Sequence, residues 1–229
     1  MAHHQQFEFI DAVKAALPEF FRGRRVLEVG SLDINGSIRT AFEACDYTGA
    51  DLSPGPGVDI ACPGQLLEFP TGHFDVSLSC ECFEHNPYWV ETWANMLRMT
   101  RPGGLVLMSC ATTGRREHGT TRSAPDSSPF TVGHGWNYYR NLTQADVEGR
   151  FDLAQWFSDH GFVVCAESFD LYFVGIRKDG PALPAALLPD LRRRFSATRS
   201  LKAVKRRLKM LVLGNVLSSP LKAYFQGRR

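Results

Sequence analysis

Residues 24–39 read RRVLEVGSLDINGSIR, and the run VLEV within them restricts the fold more than any other stretch. A short apolar run closed by glycine suits a strand buried on both faces. Glu28 nevertheless stands inside that run, two residues before Gly30. A carboxylate at a buried strand end needs a partner. In open α/β sheets the carboxyl ends of the strands are where ligands bind.

The flanking sequence supplies the other layers. Phe7, Ile10, Val13, Ala16 and Leu17 repeat at helical spacing, with Pro18 late in the run. Ile38, Ala41 and Phe42 predict a helix after the first loop, and CDYTGAD predicts a second strand ending at Asp51. HFDVSLSC (73–80) and GGLVLMSCA (103–111) predict two more strands. Between them Val90, Trp93, Ala94 and Leu97 share a helical face that stops at Pro102-Gly103-Gly104. This alternation indicates a parallel sheet with helices on both faces. LTQADVEGRFDLAQWFSDHG then reads as one or two helices. FVVCAESFD and LYFVGIRKD read as strands joined by a very tight turn, hence an antiparallel pair.

Charge divides the chain in two. Residues 1–190 carry 14 Lys/Arg against 24 Asp/Glu, whereas residues 191–229 carry 12 Lys/Arg and no acid. In that tail Leu201, Val204, Leu208, Leu211 and Val212 fall on one helical face, away from Lys202, Arg206 and Lys209. Such a pattern suits contact with a membrane surface, or an apolar face packed on the acidic body. No RNA-binding signature accompanies the charge, so nucleic acid is not an expected partner. Six scattered cysteines form no CxxC pair and suit a reducing compartment. The N-terminus shows no secretion signal and no apolar run is long enough to span a bilayer. The expectation is a cytoplasmic protein, peripheral at the inner membrane surface if the tail binds there.

Four segments in order, VLEVGSLDINGS, YTGADLSPGPGVD, FDVSLSCECFEHNP and MLRMTRPGGLVLMSCA, resemble a class I S-adenosylmethionine-dependent methyltransferase of the broad type 11 group. The resemblance runs over residues 24–111 and extends to about 178. It implies a Rossmann-like, seven-stranded, mostly parallel sheet in the order 3-2-1-4-5-7-6, with the last strand antiparallel. It also implies S-adenosyl-L-methionine as cofactor. Glu28, Gly30 and Ser31 match the part that holds the cofactor's amino-acid moiety, and Gly36 falls in the same loop. Asp51 matches the ribose-binding acid, Leu52 the residue beside adenine, and Cys80 and Glu81 the segment along the methionine moiety. Two departures stand out. The first loop is longer than E-x-G-x-G-x-G, and Pro63 occupies the place where many relatives have an adenine-binding Asp, leaving backbone groups or Gln65 for that contact. The implied domains are an N-terminal helix over 1–23, a methyltransferase domain over 24–178 with an insertion at 112–142, and a basic amphipathic helical tail over 179–229.

ECFEH (81–85) brings two carboxylates and an imidazole to the mouth of such a site. On a helix Glu81, Glu84 and His85 would share a face, and mixed oxygen and nitrogen donors suit a divalent metal. A subset of relatives uses a similar ExxEH cluster in that way, while many carry Glu-His with no metal. The reading adopted from sequence assigns no metal, with His85 near the acceptor. The insertion is long, polar and turn-rich, as a functional loop would be. Its His118 and His134 are candidate general bases, and Trp136, Tyr138 and Tyr139 suit a substrate lid. The expected reaction is O-methylation of a small molecule or sugar. The alternatives are a metal-assisted RNA 2′-O-methyltransferase and a non-catalytic cofactor-binding regulator.

Overall fold

Strand β1 (Arg25–Val29) runs through the middle of a sheet, parallel to β2 (Asp46–Asp51) on one side and β4 (Phe74–Cys80) on the other. The computed structural model of the chain describes residues 4–196 and residue 204. β3 (Ile60–Ala61) lies outside β2, β5 (Thr100–Ala111) lies beyond β4, and β6 (Phe157–Cys165) and β7 (Asp170–Arg177) complete the order β3-β2-β1-β4-β5-β7-β6. β7 is antiparallel to both its neighbours, and the other pairings are parallel. This is the seven-stranded topology that the resemblance implies.

Alternation along the strands builds two cores. Val26, Leu105 and Leu107 point to one face, where α1 (His4–Ala16) contributes Phe9, Ile10 and Val13. Leu27, Val29, Val106 and Met108 point to the other, where α2 (Trp89–Met99) contributes Trp93, Met96 and Leu97. The insertion holds α3 (Pro129–Gly133), and after it α4 (Gln144–Glu148) and α5 (Leu153–Trp156) add Val147 and Leu153 to the second core. Stacking a covered sheet between these layers leaves only the strand ends free to meet a ligand.

Three local expectations change. The helix predicted after the first loop is one 3-10 turn, Ile38–Ala41, capped by Ser37 and followed within five residues by β2. So short a link leaves no room for more turns. Residues 157–161, read as helix from sequence, extend β6 instead, because they pair across to β7 from Arg177 to Val174. Residues 187–195, counted with the tail, form α6 (Leu187–Phe195), which buries Leu187, Leu191 and Phe195 in the first core. From residue 197 on, the tail lies outside the described residues apart from Val204. No helix among the described residues is long and apolar enough to cross a membrane.

The entry to α4 is fixed by a reciprocal cap. Thr143 Oγ1 accepts from the Asp146 N–H at 3.2 Å, and Asp146 Oδ2 accepts from the Thr143 N–H at 2.9 Å. Thr143→Ala is expected to cost about 1 kcal/mol in urea unfolding. An unchanged midpoint would show that tertiary packing alone holds this turn.

Candidate active site

The carboxyl ends of β1, β2 and β4 open into one cavity, enclosing about 860 Å³ including its mouth. Glu28, Gly30, Ser31, Gly36, Asp51, Leu52, Cys80 and Glu81, the residues expected around the cofactor, all line it. The opposite wall comes from the insertion, through Ser127–Thr131 and Trp136.

Glu28 is buried on β1 and accepts a hydrogen bond from the Tyr47 hydroxyl at 2.8 Å. Burial pushes its carboxyl up from 4.5 to about 7, while the Tyr47 bond and the nearby Arg39 charge pull the other way. Asp51 ties two segments together. Its Oδ2 accepts from the Leu32 N–H at 3.0 Å and its Oδ1 from the Leu52 N–H at 2.7 Å. Burial raises its pKa, and these two backbone bonds oppose the rise.

Gly30 adopts φ +86°, and a Cβ there would lie 2.6 Å from Cys82 Cβ. Only glycine allows both the left-handed turn and so close a crossing of the loop after β4. Gly36, at φ +107°, closes a turn in which its N–H donates to Asp33 Oδ1 at 2.7 Å. Asp33 thus shapes the longer first loop.

The ECFEH segment is not a helix through its length. Glu81 sits at φ +52°, and a 3-10 turn follows over Phe83–His85. The turn separates Glu81 from the shared face expected of it. Glu81 Oε2 instead lies 3.7 Å from the Arg115 guanidinium, which is also 3.5 Å from Asp170. His85 lines the cavity and is buried, and burial together with neighbouring His118 drives its pKa well down. Its ring meets those of His118 and Tyr139 at 4.9 and 5.4 Å between centroids.

The three candidate bases therefore separate. His85 faces the cavity, His118 lies behind it, and His134 is exposed and outside the lining, its Nδ1 3.1 Å from the Phe130 carbonyl. Position argues against His134 as a base for anything bound within. Of the lid aromatics, Trp136 reaches the cavity, whereas Tyr139 packs on the two histidines. Gln65 turns to Thr92, and Cys62 and Gly64 line the cavity there instead.

Gln6 was missed from sequence. It sits on the buried face of α1, three and four residues before Phe9 and Ile10, and lines the cavity. A lone amide on an apolar helical stripe was the signal available. Its Oε1, like Ser31 Oγ, is buried at the cavity without a hydrogen-bond partner.

Residues 1–167 match the family described as "Methyltransferase domain". The chain belongs to this methyltransferase-domain family. An uncharacterized methyltransferase of Mycobacterium marinum is 35% identical over 109 residues, 42% of each chain. The chain thus spans about 42% of the length of the curated relatives it matches first. Among solved structures, the Burkholderia thailandensis 1,6-didemethyltoxoflavin-N1-methyltransferase with bound S-adenosylhomocysteine aligns at TM-score 0.51 and 18% identity, over 76% of this chain and 80% of that one. The Haemonchus contortus phosphoethanolamine N-methyltransferase 2 with S-adenosyl-L-methionine aligns at 0.52 and 19%, over 90% and 49%. At such identity the likeness is one of fold.

Proposed function

We propose that the protein uses S-adenosyl-L-methionine to methylate a hydroxyl of a small molecule or sugar. One observation carries this reading: Glu28, Gly30 and Asp51 converge on a single cavity that a neutral imidazole also lines. The residues fit the cofactor. Glu28 offers a carboxylate to its ammonium, Asp51 an acceptor to its ribose hydroxyls, and Gln6 and Ser31 offer unsatisfied polar atoms. When bound, the cofactor supplies an electrophilic methyl carbon on a sulfonium. The cavity would hold the acceptor hydroxyl in line with that methyl group, between the strand ends and the insertion wall. His85, neutral and facing the cavity, holds an unprotonated nitrogen for the hydroxyl proton. The insertion wall with Phe130 and Trp136 excludes water and positions the acceptor.

The test is calorimetry with S-adenosylmethionine and S-adenosylhomocysteine. Asp51→Ala removes a ribose acceptor and releases the Leu32 and Leu52 amides. Affinity is expected to fall about 10- to 100-fold. Unchanged binding in this variant would sink the assignment of the cavity.

A further inference from the structure

A buried polar cluster lies behind the cavity wall. Glu84 is fully buried, and neither carboxylate oxygen has a hydrogen-bond partner beyond its own backbone. His85 Nδ1 is buried and equally unpartnered. His118 comes from the insertion, held close by Gly119 (φ +62°), where a Cβ would stand 2.6 Å from His85 Cε1. Donor atoms of Glu84, His85 and His118 lie within 4.8 Å of one another.

We propose that Glu84, His85 and His118 form a binding site for one divalent transition-metal ion, beside the acceptor end of the cavity. Three observations carry it. An unsatisfied buried carboxylate is expensive to keep, and two imidazoles beside it complete a set of donors suited to zinc or a similar ion. Three ligands at about 2.1 Å in a tetrahedral arrangement sit about 3.4 Å apart, which modest inward motion from the present spacing supplies. His118 Nδ1 lies 3.0 Å from the Arg116 carbonyl. A hydrogen bond there places the proton on Nδ1 and leaves Nε2 as the ligand atom.

The metal site stands on these distances. Its place next to the acceptor rests on the proposed methyl transfer. There the His85 lone pair would serve the ion, which would lower the pKa of an acceptor hydroxyl bound to it, the released proton passing to solvent. His85 then acts as a ligand instead of as a base.

The probe is cobalt(II), titrated into chelator-treated full-length protein and followed by its visible ligand-field bands. We expect one equivalent bound, displaced by zinc, with at least tenfold weaker binding in Glu84→Gln and His118→Gln and no change in His73→Ala. His118 is only partly buried, so its replacement spares the fold even if the Glu84 variant is destabilised. Failure to bind cobalt(II) or zinc, or one equivalent held equally by His118→Gln and wild type, would overturn the site. S-adenosylhomocysteine binding is measured on the same samples. Cofactor binding without metal defeats the metal site alone, and metal binding without cofactor defeats the methyltransferase reading alone.

Discussion

Gly30→Ala is expected to abolish S-adenosylhomocysteine binding at micromolar concentration and to destabilise the fold by about 2–3 kcal/mol. Two costs combine. Alanine at φ +86° adopts a left-handed backbone that L-residues resist by about 1–2 kcal/mol. Its methyl group would also stand 2.6 Å from Cys82 Cβ and 2.8 Å from Cys82 Sγ. A β-carbon cannot swing aside as a long side chain would, so the loops after β1 and β4 must part. Both loops are walls of the cavity, and binding suffers more than folding. Thermal unfolding reads the first effect as a shift of roughly 4–12 °C for a domain of this size. Combining Gly30→Ala with Cys82→Gly removes the clash and leaves the backbone strain, so partial recovery is expected. Wild-type affinity in Gly30→Ala would mean that the loops relax freely and that the close crossing has no role in the site.

The second large effect is a proton linkage at Glu28. Its carboxyl titrates near 7 in the folded protein against an ordinary 4.5, with burial the leading cause. Folding therefore favours the protonated acid. This share of stability is complete below about 4.5 and is lost as pH rises through about 7. A cofactor ammonium beside Glu28 reverses the preference, since it is attracted to the carboxylate. Apparent cofactor affinity should rise about fivefold from pH 6 to pH 7, following the ionised fraction. It should turn down above about 7.7–8.0, where an α-amino group loses its own proton. At pH 7 binding should release about half a proton, read by calorimetry in buffers of different ionisation heat. Glu28→Gln should bind more weakly and lose the rising limb below pH 7. A flat profile in the wild-type protein would place the ammonium away from Glu28.

Much of this site could be read before any coordinates. Glu28 and Gly30 stand out because acid and glycine interrupt an apolar run, and Asp51 because the next strand ends on it. Local pattern marks strand ends well, and strand ends are where the cavity lies. Long-range register was harder to see. Residues 157–161 have no strong alternation, and their pairing with β7 depends on a partner strand that composition does not announce. Sequence makes His118 a candidate base in the insertion but not a neighbour of Glu84, because that approach depends on how the insertion folds back over His85. Gln6 escaped for a similar reason: its helix reads as packing, and only the third dimension brings its amide to the ligand space.

The division of the cavity wall has a consequence for how such a protein can change. Strand ends carry Glu28, Gly30 and Asp51, and each is tied into the sheet or its first loop. Residues 127–131 and Trp136 face them from a connection that begins and ends beside β5. On the proposed reading, a lineage can therefore redraft residues 112–142 and adopt a new acceptor while inheriting the methyl-donor side intact. On that reading, preference for the acceptor and grip on the donor are written in separate stretches of the chain.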